Sequence, residues 1–306
     1  MSVRIDVPAA VLNSFDALTP SIGPSGDEWA RTVPRLLADG AERWGLAPDG
    51  PVRSGRTAVA LPVRRDDEPL VLRVGWPHAE AVGDHLALRR WAGHGAVRLV
   101  AADPATWTML LERLDPSTDL NTVAIDEACE LAGEVMSRLH VPAPPTIGAA
   151  VDFCDDRLSN LESVPDVLPR RLVVRARGLL RELSVSDAGR SLLHGGLHFR
   201  NILRSQRAGA DAEAWLAIDP RPLAGHPGFE LQPLLRDRVE EYGTGSAFRW
   251  GVRRRLEIAC EAAGVDEEVA RLWSIVHSVI VAFRVAQDGD GEATSFHIAL
   301  LKALDD

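Results

Sequence analysis

Apolar residues recur every three or four positions along much of the chain, which is the spacing of helices that bury one face. In residues 122–140 this recurrence places Ile125, Leu131, Val135 and Leu139 on one stripe. The predicted helices cover residues 27–46, 79–91, 122–140, 168–183, 230–240, 247–263, 267–286 and 294–303. Helices therefore dominate the chain after its first third.

The first third alternates apolar runs with turn residues instead. Residues 57–63 and 69–74 are apolar runs joined by the polar stretch 64–68, a pattern that predicts an antiparallel hairpin. Further short strands are predicted at residues 96–101, 107–112, 191–193, 199–203 and 215–218. The chain is therefore predicted to be an α+β protein, with a strand-rich unit over residues 1–114 and a helix-rich unit over residues 115–306 that contains a short hairpin.

The charge balance and the cysteines limit the possible partners. The chain carries 34 Lys and Arg against 44 Asp and Glu, whereas binding nucleic acid requires a surplus of basic surface. No apolar run approaches the length of a membrane span, and polar residues interrupt the N-terminal segment where a secretory signal would be apolar. The three cysteines favour neither a disulfide framework nor a zinc site. We expect a cytoplasmic protein that binds a small molecule, without nucleic-acid or membrane partners.

Lysine is almost absent, which restricts the chemistry. Lys302 is the only lysine among the 34 basic residues, and it lies far from any glycine-rich turn. A Walker A loop needs a lysine whose ammonium group reaches the nucleotide phosphates. The sequence therefore excludes a P-loop.

One segment concentrates groups that carry chemistry. It reads His194-Gly195-Gly196-Leu197-His198-Phe199-Arg200-Asn201, and Ile218-Asp219-Pro220 follows after a turn-rich stretch. Asn201 and Asp219 by themselves are common turn caps. His194 and His198 with Asp219 would also form a two-His-one-carboxylate metal site. The residues alone leave these interpretations open.

These segments resemble the aminoglycoside phosphotransferase family, and most closely its streptomycin 6-phosphotransferase branch. The resemblance also rests on Ala60-Leu61-Pro62-Val63, Ala87-Leu88-Arg89-Arg90-Trp91, Gly95-Ala96-Val97-Arg98-Leu99, Leu110-Leu111-Glu112-Arg113-Leu114 and Leu216-Ala217-Ile218-Asp219-Pro220-Arg221-Pro222. It covers nearly the whole chain. It implies a protein-kinase-like fold with a small antiparallel-sheet N-lobe and a larger helical C-lobe, ATP and Mg²⁺ as cofactors, and a small molecule as substrate.

The resemblance also implies a role for individual residues. Asn201 and Asp219 would be the Mg²⁺ ligands, because Mg²⁺ prefers hard oxygen donors. Arg73, Asp84 and Glu112 would join them around the nucleotide.

The resemblance implies that the catalytic residues lie in the 194–201 segment and at the aspartate that follows the next strand. They would be His194, the position of Gly196, His198 and Asp219. Arg200, Glu230 and Asp237 would contact the substrate. Six acidic residues could instead line a pocket for a cationic acceptor: Asp152, Asp155, Asp156, Asp288, Asp290 and Glu292.

The chain departs from the family at the positions that carry catalysis and nucleotide binding. Gly196 stands where the family has the aspartate that acts as general base, a group that typically contributes about 10²–10⁴ in rate. Arg73 replaces the strand lysine, and Asp84 replaces its glutamate partner. Arginine is longer and planar, so it is not equivalent to lysine at a phosphate site. His226 and Glu230 also stand where aspartate is usual.

Three functions follow from this combination. The first is a family member that binds or transforms a small molecule of secondary metabolism and is impaired in ATP-dependent phosphoryl transfer. The second is an active phosphotransferase that acts on a hydroxyl group of an aminoglycoside-like or cyclic polyol acceptor. The third is a non-catalytic pseudokinase that binds a protein partner.

Overall fold

A computed structural model describes residues 5–162, 168–186, 190–209 and 213–305 and shows an α+β protein. The helices are α1 (Ala9–Asn13), α2 (Gly26–Ala30), α3 (Val33–Trp44), α4 (Asp84–Trp91), α5 (Ile125–Leu139), α6 (Ala150–Glu162), α7 (Arg170–Ser186), α8 (Gln232–Leu235), α9 (Ser246–Ala263), α10 (Glu267–Gln287) and α11 (Gly291–Asp305). The strands are β1 (Ala47–Pro48), β2 (Arg53–Ser54), β3 (Ala58–Arg65), β4 (Glu68–Gly75), β5 (Leu99–Asp103), β6 (Thr108–Glu112), β7 (Asp115–Asp119), β8 (Ser191–Leu193), β9 (Ile202–Arg204), β10 (Trp215–Ala217) and β11 (Leu223–Gly225).

The chain folds into two compact units. The first comprises Met1–Asp115 and Ser205–Ala214, and the second comprises Pro116–Arg204 and Trp215–Asp306. A single boundary at Leu114 omits the return of the chain to the first unit. The apolar pattern contains no signal for that return, because the segment is held by charged groups.

The first unit is built on a six-stranded antiparallel sheet in the order β1-β3-β4-β6-β5, with β2 also paired to β3. Strands β3 and β4 form the predicted hairpin, in which Val59 pairs with Val74 and Leu61 with Leu72. These side chains are buried and share one apolar core with Leu37 of α3. Alternating apolar positions on neighbouring strands thus bury one face of the sheet against a helix.

The helix predicted at residues 27–46 is in fact two helices, α2 and α3. Ser25 begins α2 with a capping box, in which its hydroxyl accepts from Glu28 N and the Glu28 carboxylate accepts from Ser25 N. Pro34 lies in the first turn of α3, where a missing N–H removes no intrahelical hydrogen bond. The proline therefore starts a second helix instead of extending the first.

The second unit is mainly helical, and the predictions for α5, α7, α9, α10 and α11 are confirmed with small shifts at their ends. Helix α10 packs against α9, α11 and α7. Among the described residues, α10 is the one helix that is both long enough and apolar enough to span a membrane. Inside the fold, 61% of its apolar window is buried. Core helices of this kind commonly have that composition.

The helix predicted at residues 230–240 is wrong. Only the short α8 is α-helical there, between 3₁₀ turns at Pro227–Leu231 and Val239–Glu241. Arg238 adopts a left-handed conformation with a φ of 49°, which is incompatible with a continuous helix. The apolar pattern was present, but the backbone turns too often to form one helix.

Arg207 holds the returning segment within the first unit. Its Nε donates to Glu112 Oε2 at 3.0 Å, and its Nη2 donates to the same carboxylate. Its Nη1 donates to Gly93 O at 2.8 Å and lies 3.3 Å from Glu213 Oε2. Glu112 also accepts from Arg98 N. The carboxylate predicted to contact a nucleotide thus has a structural role.

The substitution Arg207→Gln is expected to lower the free energy of unfolding by about 2 kcal/mol, because it leaves the buried Glu112 without its charge partner. Urea denaturation measures this. Arg35→Gln is the matched control, because Arg35 pairs with Asp39 on the surface at 3.0 Å and such pairs contribute about 0.5 kcal/mol. Equal effects of the two substitutions would contradict the structural role of Arg207.

Candidate active site

The loop of residues 194–201 is positioned by two short strand pairs in the second unit. It follows β8, which pairs with β11, and it leads into β9, which pairs with β10. At its end, Ile218 N donates to Asn201 O at 2.9 Å. The loop and the segment around Asp219 are therefore neighbours, as the sequence motif requires.

Two carboxylates hold the backbone of this loop. Glu230 Oε1 accepts from Gly195 N at 2.7 Å, and Asp237 Oδ2 accepts from Phe199 N at 2.6 Å. Glu230 is only 1% exposed, and its other oxygen lies 3.6 Å from His140 Nε2. Burial raises the pKa of Asp237, and the hydrogen bond from Phe199 N opposes that rise. Both residues, predicted to contact substrate, anchor the loop backbone.

His194 connects the start of the loop to the following strand. It is fully buried, its Nε2 lies 2.9 Å from Ile218 O, and its carbonyl accepts from Arg221 N at 2.7 Å. Burial lowers the pKa of His194, while the nearby Glu230 opposes the change. A buried neutral imidazole in this position orients the loop and does not serve as a proton acceptor for a substrate.

The two glycines of the loop have different requirements. Gly195 has a φ of 74°, and a Cβ there would lie 2.0 Å from Arg221 O, so glycine is needed for both conformation and space. A Cβ on Gly196 would meet Arg221 Cδ at 3.6 Å and Nε at 3.9 Å, which are ordinary contacts. The place of the family's aspartate side chain therefore adjoins an arginine side chain, and the backbone at Gly196 accepts a Cβ.

Asn201 and Asp219 have the chemistry of Mg²⁺ ligands. Asn201 Nδ2 donates to Gly196 O at 2.9 Å, which orients the amide and leaves Oδ1 as a hard oxygen donor. Asp219 has a φ of 56° and precedes a proline, a strained conformation typical of functional positions. Because Mg²⁺ binds through one or two protein oxygens plus phosphates, these two residues fit it.

The alternative metal site is not supported. Among the described ranges, no cluster of three His, Cys, Asp or Glu residues has the geometry to hold a metal ion. His194 uses its Nε2 near a backbone carbonyl, so it does not ligate together with His198 and Asp219. The interpretation of the loop as a two-His-one-carboxylate site is therefore wrong for this part of the structure.

Burial and the charge of Arg236 act on several imidazoles of the second unit. Burial lowers the pKa of His198 and of His297 to about 4 and that of His277 to about 3, and in each case the charge of Arg236 lowers it further. Arg221 acts on His198 as well. His198 is therefore neutral at physiological pH. Arg200, predicted to contact substrate, is exposed on the 3₁₀ turn of the loop.

In the first unit, the structure brings together the predicted pair of Arg73 and Asp84. Arg73 Nη1 lies 3.3 Å from Asp84 Oδ2, and both side chains are nearly buried. A Cβ on Gly75 would lie 2.9 Å from the same guanidinium nitrogen, so the glycine makes room for the arginine. Asp84 also lines a hollow of about 200 Å³ together with Trp107 and Met109.

The sheet, the helices and the anchored loop define a protein of the phosphotransferase class. A family model described as aminoglycoside/hydroxyurea antibiotic resistance kinase matches residues 43–289. The chain is 34% identical to a streptomycin 6-kinase of Streptomyces glaucescens, covering 99% of this chain and 98% of that protein. For a streptomycin 6-kinase of Streptomyces griseus the identity is 36% with the same coverage. The chain belongs to the aminoglycoside/hydroxyurea antibiotic resistance kinase family, which confirms the resemblance.

Solved structures confirm the fold. A choline/ethanolamine kinase family protein of Mesorhizobium loti has a TM-score of 0.61 at 18% identity, over 88% of this chain and 94% of that chain. At such low identity the likeness concerns the fold alone. The protein-kinase-like α+β fold predicted from the sequence is therefore correct.

The sequence did not indicate the roles of Arg221 and Arg236. Arg221 follows the strand motif directly and Arg236 ends α8, and arginines at such places are usually solvated. The one sequence signal that pointed to these neighbours was the missing carboxylate at position 196, because the loss of a carboxylate changes what the neighbouring side chains can bind. The approach of the Arg221 side chain to Gly196 emerges only from the folded loop.

Substitution by alanine is expected to change the free energy of unfolding strongly at Gly195 and weakly at Gly196. Gly195→Ala should lower the free energy of unfolding by about 3 kcal/mol or more, because it adds a clash to an unfavourable φ. Gly196→Ala should change it by less than about 1 kcal/mol. Urea denaturation followed by tryptophan fluorescence measures both values. A tolerated alanine at 195, or a damaging one at 196, would contradict the loop geometry.

The buried histidines predict a loss of stability in acid. The unfolded chain binds their protons near pH 6.5, whereas the folded chain does so only near pH 4 or below. Stability should therefore be complete above pH 6.5 and decline as the pH falls towards 4. In urea titrations, His297→Gln should reduce this slope by about 1 kcal/mol per pH unit. Equal slopes in the wild type and in His297→Gln would count against the assignment.

Proposed function

We propose that this phosphotransferase-family protein binds and transforms a small molecule at the 194–201 loop and is impaired in conventional ATP-dependent transfer to a neutral hydroxyl group. The observation that carries the proposal is the surroundings of Gly196. The residue has no side chain to accept a proton, and the nearest side chain to its would-be Cβ is that of Arg221. A guanidinium group is protonated at all physiological pH values and is no base.

Three other groups of the loop region are poor replacements for the base. Glu230 is buried and its carboxylate accepts from Gly195 N. Asp237 accepts from Phe199 N. His198 has a pKa of about 4, so its affinity for a proton is far below that of an ordinary imidazole. Each of these groups serves the loop itself, which supports impaired proton abstraction.

The proposal keeps a nucleotide and Mg²⁺ as cofactors. Asn201 Oδ1 and Asp219 would hold the ion, which neutralises phosphate charge when bound. Because positioning and charge stabilisation supply most of the catalysis of phosphoryl transfer, a site without a base retains part of its capacity. Arg73, held by Asp84, keeps the positive charge of the family's lysine but with different geometry.

An active phosphotransferase acting on an aminoglycoside-like or cyclic polyol hydroxyl is the second candidate. The retained pair of Asn201 and Asp219 favours it, as do the relatives named streptomycin 6-kinase. The non-catalytic pseudokinase stays a prediction that a stable protein partner would support. We propose a cytoplasmic location for each, which agrees with three free, buried cysteines among the described residues.

Restoring the carboxylate is the direct experiment. A Cβ at Gly196 would make only ordinary contacts, so we expect Gly196→Asp to fold and to raise streptomycin-dependent ADP release by about 10²-fold or more. Gly196→Asn is the matched control, since it has the same shape without a base. Adding Arg73→Lys should increase thermal stabilisation by MgATP.

The wild-type protein distinguishes the two candidates. Rapid ADP release with streptomycin or another polyol, at a rate that Gly196→Asp does not improve, would establish the active phosphotransferase and refute the impairment. The combined substitution Gly196→Asp, Asp219→Ala should return the release to background, because the predicted metal ligand is gone.

A further inference from the structure

Two buried polar atoms of the second unit lie close together without a hydrogen-bond partner. Glu230 Oε2 and His140 Nε2 are 3.6 Å apart, with the Glu230 side chain fully buried and the His140 side chain 9% exposed. Within the described ranges, neither atom has a partner at hydrogen-bond distance. Buried polar atoms are nearly always paired, because no water replaces a missing partner there. The short distance makes each atom the available partner of the other.

The chemistry of the two groups decides where the hydrogen lies. A carboxylate only accepts hydrogen bonds, whereas a neutral imidazole donates from one nitrogen and accepts at the other. With the hydrogen on Nδ1, the lone pair of His140 Nε2 would point at another acceptor. Carboxylic acids are ordinarily stronger acids than imidazolium groups, so the hydrogen between the two groups belongs to Nε2. A small side-chain rotation then brings the pair to the ordinary length of about 2.9 Å.

Glu230 connects this contact to the 194–201 loop. Its other oxygen, Oε1, accepts from Gly195 N at 2.7 Å. The two oxygens belong to one planar group, so a donor that fixes Oε2 also fixes the direction of Oε1. His140 ends α5, where its N donates to Met136 O at 3.2 Å, and α5 packs against α9. The start of the loop is thereby linked to a core helix.

The other end of the loop has a separate anchor. Asp237 Oδ2 accepts from Phe199 N at 2.6 Å, and His140 is not part of that contact. Removing the imidazole should therefore act on the backbone at Gly195 and spare the backbone at Phe199. A general loss of folding would disturb both ends.

We infer that His140, through a hydrogen on Nε2, is a positioning residue of the loop: it orients the Glu230 carboxylate, which in turn holds the backbone at Gly195. This relay of imidazole, carboxylate and backbone N–H contacts no substrate and needs no nucleotide. Its effect on nucleotide binding rests on the proposed function, because Gly195 leads directly into Gly196 and the loop that carries Asn201. The experiments below test the relay and the binding effect separately.

The first experiment reports on both ends of the loop in one NMR spectrum of the full chain. Histidine labelled with ¹³C at the carbonyl, combined with ¹⁵N glycine and ¹⁵N phenylalanine, selects the labelled amides that follow a histidine. The sequence has three such amides, Gly95, Gly195 and Phe199. Gly95 is an internal reference, because its N donates to Glu213 Oε2 at 2.9 Å in the first unit.

The substitution His140→Met removes the donor and leaves an apolar side chain of similar length. We expect the Gly195 amide to exchange its hydrogen about tenfold faster and its proton resonance to move upfield, because its hydrogen bond is weakened. The Gly95 and Phe199 signals should stay in place. His140→Gln keeps a side-chain N–H of similar reach and should retain the wild-type signal of Gly195.

Two controls accompany these variants. Arg138→Gln lies on the same helix and breaks a surface pair with Glu134 at 3.3 Å, so it should leave all three amide signals unchanged. A spectrum of ¹⁵N-labelled histidine rings in the wild type, compared with that of His140→Gln, identifies the tautomer of His140. We expect the hydrogen on Nε2.

The second experiment measures thermal stabilisation by MgATP. His140→Met should weaken the apparent binding about tenfold, and His140→Gln should bind as the wild type does. If MgATP stabilises none of these proteins, the nucleotide part of the proposed function fails, and the amide signals alone decide whether the relay exists.

Four results would overturn the inference. They are an unchanged Gly195 signal in His140→Met, equal changes in His140→Met and His140→Gln, a hydrogen on Nδ1 of His140, and a change at Phe199 as large as that at Gly195. A response of Gly195 without any loss of MgATP affinity would remove the positioning role in the proposed function. If His140→Met does not fold, as shown by its melting curve, the wild-type tautomer and the Gly195 signal of His140→Gln decide.

Discussion

The hydrogen bonds that Glu230 and Asp237 accept from the loop backbone are the interactions on which the site depends. One acts at Gly195 and the other at Phe199, so the segment between them is fixed at both ends. Within this segment, the carbonyl of Gly196 accepts from Asn201 Nδ2 and orients the Asn201 amide. A loop without a base can thus retain a defined geometry, because its architecture and its proton-transfer group come from different residues.

This separation explains why the chain is recognisable as a family member although it lacks the family's catalytic base. The residues that shape the loop are His194, Gly195, Glu230 and Asp237, and each has a backbone partner in the structure. At position 196 only the backbone carbonyl has such a partner, and a Cβ there would make ordinary contacts. The fold of the loop therefore depends on the first group, whereas the side chain at position 196 bears on reactivity.

The sequence predicted much of the fold because its strongest signals are local. The β3–β4 hairpin and the long helices follow from apolar spacing that each element shows by itself. Residues 230–240 have such spacing but no continuous helix, since Arg238 takes a left-handed conformation. The return of residues 205–214 to the first unit was not predictable either, because it depends on Arg207 and Glu112, which are far apart in sequence. For the site, the motif located Asn201 and Asp219 beside the loop, whereas the anchoring roles of two acidic residues required the fold.

The freedom of the backbone at Gly196 has an evolutionary consequence. Glycine and aspartate codons are related by a single base change, and a Cβ at this position would make only ordinary contacts. The neighbouring Gly195 lacks that freedom, because its φ and the adjacent carbonyl exclude a side chain. A lineage carrying this loop can therefore change the residue at position 196 in one mutational step while the constraint at Gly195 is kept.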